Sequence, residues 1–242
     1  MLSIKNLAVQ IAGKPVVDNV NLEIKAGELA ILMGPNGSGK SSLAMVLMGH
    51  PDYTITAGAI YFNNQDITNL AVHERAKLGL FLAFQHPRAI AGLQVFSFLK
   101  TTYEVFTGKI MDVRDFENLL LKNLELVGLD KSFIYRDVNS GFSGGEKKSF
   151  EILQFLLLQP KLAIIDEIDS GLDIDALKLV AQAINFAKKK CPELSIILIT
   201  HYSRIINFLE PETVYVMQHG KLVKSGDIFL ANQIEQFGYD QI

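Results

Sequence analysis

The segment Gly34-Pro35-Asn36-Gly37-Ser38-Gly39-Lys40-Ser41 constrains this chain more than any other, because it matches G-x-x-x-x-G-K-[ST] in the context that pattern requires. The continuous apolar run Leu29 to Met33 before it reads as a strand buried on both faces. After it, Leu43, Val46 and Leu47 recur at helical spacing until Gly49 supplies a stop. Gly34, Gly37 and Gly39 let the backbone turn with its N–H groups inward, making an anion nest at a helix N-terminus, with Pro35, Asn36, Ser38 and Ser42 completing the cradle. In such a loop Lys40 reaches the β- and γ-phosphates and the Ser41 hydroxyl ligates Mg²⁺, so the expected cofactors are a nucleoside triphosphate and Mg²⁺.

The rest of the chain supplies a scaffold for such a loop. Leu2, Ile4, Leu7, Val9 and Ile11, then Val20, Leu22 and Ile24, alternate as antiparallel strands do. Later, Leu162 to Ile165 and Ser195 to Ile199 read as buried strands, and between them Leu177, Val180, Ala181, Ile184 and Ala187 keep a helical period. With Val214 to Met217 and Leu222 to Ser225 closing the chain, the expectation is an α/β fold with a parallel core sheet and an N-terminal antiparallel sheet. From Val95 to about Val127 the period is helical. We therefore expect one domain over 1–242, with an α/β core from 1–86 and 151–242 and a mostly helical insertion over 87–150.

A second site element follows from the first. Leu162-Ala163-Ile164-Ile165-Asp166-Glu167 is an apolar strand ending in two carboxylates, and a phosphate-binding loop needs a carboxylate at a neighbouring strand end to hold the Mg²⁺ shell. Asp166 is placed for that. Glu167, one residue on, should leave the strand face and polarise a water aimed at the γ-phosphate.

Composition excludes several alternatives. The longest apolar stretch, Leu78 to Phe84, falls far short of the roughly twenty residues a membrane-spanning helix needs. Met1-Leu2-Ser3-Ile4-Lys5 has the layout of neither a secretory nor a transit peptide. A lone Cys191 cannot close an intramolecular disulfide, and no Cys or His pair has metal-ligand spacing. A formal charge of −3 leaves no basic footprint for nucleic acid. The mean hydropathy of +0.22 is high for a self-sufficient soluble monomer and suggests surface reserved for a partner.

Gly141-Phe142-Ser143-Gly144-Gly145-Glu146-Lys147-Lys148 makes the reading specific. Ser143 and Glu146 have capping-box spacing, and the two glycines leave helix N–H groups open to a bulky anion. The segment resembles the signature of ATP-binding-cassette (ABC) ATPases, and the family's other stations occur in order. Gln85 is similar to the Q-loop glutamine that touches Mg²⁺ and water, Ser170-Gly171-Leu172-Asp173 to the D-loop, and His201 to the switch histidine that contacts the γ-phosphate. The resemblance implies a RecA-like core with Mg-dependent ATP hydrolysis in a transient, ATP-dependent head-to-tail dimer. Lys40, Ser41, Gln85, Asp166, Glu167 and His201 would act on one nucleotide, and Ser143, Gly144 and Gly145 on the partner's. Among these, Glu167, His201 and Gln85 would be catalytic, and Ser41, Gln85 and Asp166 would hold the metal. No aromatic near Ile11 to Lys14 can stack on adenine, leaving aliphatic contact from Val16 or Val17.

Within that family, Phe-Ser-Gly-Gly-Glu-Lys-Lys, the pair His201-Tyr202 and the run from Asp166 to Leu177 resemble the SufC group, the soluble ATPases of the SUF iron–sulfur cluster assembly system. Ile168 and Ser149 stand where that group usually carries Ser and Arg. The resemblance implies SufB/SufD-like soluble scaffolds as partners, in a bacterial cytoplasm or, if plastid-encoded, a chloroplast or plastid stroma. The competing class is the nucleotide-binding subunit of an ATP-dependent membrane transporter. Lys148 has two readings, a solvated helix lysine or a partner of Glu167 in the resting chain. Lys188-Lys189-Lys190 reads as a helix C-terminus answering the macrodipole.

Overall fold

A computed structural model of the chain describes residues 1–201 and 204–239; Tyr202 of the His201-Tyr202 pair lies outside them. β1 (Leu2–Ile11) and β2 (Lys14–Ile24) form the hairpin that the alternation predicts. β3 (Leu29–Met33) leads through the glycine-rich loop into α1 (Lys40–Leu47). β4 (Tyr53–Phe62) pairs antiparallel with β1 and carries the short β5 (Gln65–Asp66) on its other edge, so the first sheet has the order β2-β1-β4-β5. α2 (Val72–Leu78) stops at Gly79, whose φ of 104° is left-handed, and β6 (Leu80–Ala83) follows at once. The apolar stretch from Leu78 to Phe84 is thus a helix end, a turn and a buried strand.

The middle of the chain is helical, as its periodicity predicts. α3 (Val95–Thr107) ends at left-handed Gly108, and α4 (Val113–Leu126) starts on Asp112, whose carboxylate accepts the Arg114 N–H. α5 (Gly144–Leu158) begins at the signature segment and buries every residue from Phe150 to Leu158 in the core. The expected division of the chain between 150 and 151 falls inside this helix, so insertion and core share one rigid element.

β7 (Leu162–Asp166), α6 (Ile174–Lys190), β8 (Ser195–Ile199), β9 (Thr213–Gln218), β10 (Lys221–Gly226) and α7 (Ile228–Phe237) complete the fold. The second sheet has the order β10-β9-β3-β8-β7-β6, parallel except for the antiparallel edge β10. Alternate residues of β3 explain why its sequence is apolar throughout. Ala30 and Leu32 join a core with α1 and the first sheet, while Leu29, Ile31 and Met33 face the core built with α5, α6 and α7. In an open parallel sheet the ligand crevice lies outside the carboxyl ends of the strands. Here the carboxyl ends of β3, β6, β7 and β8 deliver Gly34, Gln85, Asp166-Glu167 and Thr200-His201 to one edge.

Candidate nucleotide site

The phosphate loop is held from behind by the β9–β10 hairpin. Gly34 has φ 157°, and a Cβ there would stand 2.1 Å from the Met217 carbonyl oxygen; at Gly39, with φ 105°, it would stand 2.7 Å from the Val16 carbonyl oxygen. Both positions admit glycine alone, for backbone conformation and close approach together. The Gly220 N–H donates to the Ser38 carbonyl at 2.9 Å. Lys40 is buried, and its ammonium donates to the carbonyls of Gly34 at 2.8 Å and Pro35 at 3.1 Å. Burial lowers its pKa, while the charges of Glu167 and Asp166 act the other way.

A cleft of about 760 Å³ opens over this loop. Asn36, Gly37, Ser38, Gly39, Lys40, Ser41, Ser42, Gln85, Glu167 and His201 line it, together with Val16 and Val17. Asp18, His219 and Gly220 also line it, contributed by β2 and the β9–β10 turn, and the sequence offered no local signal for them. Gly34 and Pro35 lie beneath the cleft as backbone supports for Lys40. Ser143, Gly144 and Gly145 do not line it; they form the start of α5. There the Ser143 Oγ accepts the Glu146 N–H at 3.1 Å and a Glu146 carboxylate oxygen accepts the Ser143 N–H at 2.7 Å, closing the expected capping box. Arg136 clamps the same glutamate at 2.5 Å and lies over the Phe133 and Phe142 rings. That contact, unread in the sequence, lowers the Glu146 pKa.

Asp166 ends β7 with 2% exposure, and burial pushes its carboxyl up to about 6 while the adjacent Ser41 hydroxyl draws it down. Its Oδ1 is buried with no hydrogen-bond partner. A buried carboxylate oxygen beside a serine hydroxyl suits a hard divalent cation, and among the described residues no cluster of three His, Cys, Asp or Glu offers a rival site. Glu167 then leaves the strand through a left-handed turn, φ 46°, rather than by simple alternation. Its backbone is tied down: its N–H donates to the Ile199 carbonyl at 2.9 Å and its own carbonyl accepts the Ser170 hydroxyl at 3.1 Å. One carboxylate oxygen accepts the Gln85 amide N–H, and His201 Nδ1 lies 3.5 Å from the other. The Thr200 hydroxyl donates to Asp169 at 2.5 Å, joining the end of β8 to the loop after β7 and so aligning His201 with Glu167. Burial raises the Asp169 pKa, and the Thr200 hydrogen bond opposes it.

Pairing of Lys148 with the Glu167 carboxylate is not what the structure holds. The Lys148 ammonium donates instead to the Ser170 hydroxyl at 2.9 Å, to the Ser170 carbonyl, and to the main-chain carbonyl of Glu167 at 3.4 Å. The left-handed turn at Glu167 swings the carboxylate toward Gln85 and His201 and presents carbonyls to Lys148.

This arrangement defines a class through its likeness to solved cassettes. The dimeric post-hydrolysis structure of the ATP-binding cassette MJ0796, bound to ADP and Pi, matches with a TM-score of 0.82 over 94% of this chain and 99% of that one, at 22% identity. The ADP conformation of the cassette MJ1267 matches with a TM-score of 0.76 over 98% and 95%, at 24% identity. At those identities the likeness is one of fold, and the fold is that of an ABC cassette. Sequence carries the assignment further. The family described as "ABC transporter" matches residues 17–170, and the chain belongs to it, as a SufC-like ATP-hydrolysing member. A probable ATP-dependent transporter of Synechocystis sp. is 48% identical, over 99% of this chain and 94% of the relative. The probable ATP-dependent transporter ycf16 of Cyanophora paradoxa is 47% identical over 99% and 93%, and vegetative protein 296 of Bacillus subtilis 46% over 100% and 92%.

Proposed function

We propose that this ATPase converts ATP-driven dimer closure into a shape change of a SufB/SufD-like soluble scaffold during iron–sulfur cluster assembly, in a bacterial cytoplasm or a plastid stroma. The observation that carries the reading is the signature segment Phe142 to Lys148. Its distinctive Glu146 and Lys148 are engaged with Arg136 and Ser170 within the chain, while Gly144 and Gly145 have no atom within 4 Å of a would-be Cβ. Nothing in the chain's own packing requires glycine there; a second copy's nucleotide does. Each subunit then holds two half-sites. The helical part over 87–150 carries one of them and is joined to the α/β core through α5.

In the half-site of the cleft, Lys40 and the loop N–H groups bind the phosphates, and Val16 faces the base while Val17 packs in the core behind it. Ser41, Asp166 and the Gln85 carbonyl oxygen would hold Mg²⁺, which when bound neutralises charge on the phosphate oxygens. Glu167 takes the proton of the attacking water on its carboxylate once the Gln85 hydrogen bond gives way. His201 orients that carboxylate and reaches toward the γ-phosphate. On the flank of the cleft, Phe84 and Ile90 are exposed beside Pro87, Phe98 and Phe150, an apolar surface on which a scaffold can act through the neighbouring Gln85.

The names of the relatives favour a second reading, the nucleotide-binding subunit of a membrane transporter. No helix among the described residues is long and apolar enough to cross a membrane. Purification of the tagged protein from its native source separates the two. Co-purifying soluble SufB/SufD-like subunits support the scaffold reading, and an integral membrane partner overturns it.

A further inference from the structure

After α7, Tyr239 lies against the back of the phosphate loop. The buried Gly34 N–H donates to the Tyr239 hydroxyl at 3.2 Å, across 205 residues of sequence. Gln218, at the end of β9, holds the same residue from the other side, its Nε2 donating to the Tyr239 carbonyl at 2.9 Å. Before it, α7 is anchored in the core through Leu230, Ala231 and Ile234. Gly34 is therefore gripped at each polar atom: its N–H by Tyr239 and its carbonyl by the Lys40 ammonium.

A buried N–H has to find an acceptor inside the fold. Gly34 sits where β3 gives way to the loop, at a φ of 157° with the Met217 carbonyl against it, and no water can replace a lost partner cheaply. We propose that Tyr239 is a positioning residue for nucleotide binding: its hydroxyl fixes the first peptide of the phosphate loop, and through Gly34 the resting place of Lys40. The C-terminal segment thereby sets ATP affinity without touching ATP. A loop so held acts on ground state and transition state alike, so its loss appears in KM and leaves kcat nearly unchanged.

The inference rests on the phosphate-loop reading of Gly34 to Ser41, and the test keeps the two apart. Binding of a fluorescent ATP analogue and steady-state hydrolysis are measured on the full chain, for the wild type, Tyr239→Phe, Gln218→Met and the double variant. Tyr239→Phe should raise Kd and KM by about fivefold, with kcat within about twofold. Gln218→Met should shift Kd in the same direction by less. The double variant should fall short of the sum, because both act through one hydroxyl. An unchanged Kd in Tyr239→Phe would overturn the inference alone, as would a lowered kcat at constant KM. A wild-type chain that binds no ATP would overturn the phosphate-loop reading as well. Should Tyr239→Phe fold poorly, additivity with Gln218→Met in melting temperature without any shift in Kd would count as a purely structural role and overturn the inference.

Discussion

Lys148, in the first turns of the signature helix, donates to both the hydroxyl and the carbonyl of Ser170, in the loop that follows the candidate base. The helix that would meet a second copy's nucleotide is thereby tied to the loop that carries Glu167. A lysine that locked the Glu167 carboxylate at rest would, on removal, release hydrolysis. A lysine that tethers the loop should do the opposite. Lys148→Ala is expected to lower hydrolysis per dimer by roughly tenfold, the loss of about 1.4 kcal/mol of positioning. A rise in basal rate would restore the locking role.

Gly145 has ordinary helical backbone and open space around it. Within the single chain, Gly145→Ala should be neutral or stabilising by up to about 1 kcal/mol, since alanine gives up less entropy in a helix. If the signature N-terminus packs on a second copy's phosphates, the same methyl group should cut hydrolysis at least about tenfold. Calorimetry and a phosphate-release assay together check this, and a variant with full activity would place Gly145 outside the site.

Glu151 is 3% exposed beneath the Q-loop, where it accepts the Phe84 N–H at 3.0 Å and the Gln154 amide at 3.1 Å. Burial pushes its carboxyl from an ordinary 4.5 up to about 7. The folded state thus holds the proton more tightly than the unfolded one. The resulting stabilisation is full below about pH 4.5 and lost as pH rises through about 7. Glu151→Gln keeps an acceptor for Phe84 and removes the titration. Its stability relative to the wild type should grow between pH 5 and pH 8 by up to about 3 kcal/mol, read from urea unfolding. Parallel profiles for the two proteins would contradict it.

What the sequence made legible was local. The phosphate loop, the buried strands before and after it, the capping box at Ser143 and the Asp173 cap, whose carboxylate accepts the Ala176 N–H at 2.8 Å, are all written within a few consecutive residues. β4 is hard to read because the small residues Ala57, Gly58 and Ala59 interrupt the alternation that Tyr53 to Thr56 begins; its hydrogen bonds to β1 hold it in the sheet. The contacts that aim the site were unreadable because they join distant segments: Asp169 with Thr200, Arg136 with Glu146, Tyr239 with Gly34. Arg75 is a further case. It looks like a surface residue of α2, yet it is 2% exposed and its guanidinium caps α1 through the Val46 and Leu47 carbonyls at 2.7 and 2.9 Å. Lys148 shows the complementary error, in which residue types suggested an ion pair and backbone conformation at Glu167 decided against it.

Two half-sites in one chain, with Glu167 as the base in one of them, require that a chain unable to hydrolyse ATP stay paired once ATP is bound. Light scattering on Glu167→Gln with ATP and Mg²⁺ tests it most directly. The 26.9 kDa chain should double in mass with ATP, stay single with ADP, and turn over negligibly. A variant that stays single at saturating ATP, or that hydrolyses ATP at the wild-type rate, would contradict it.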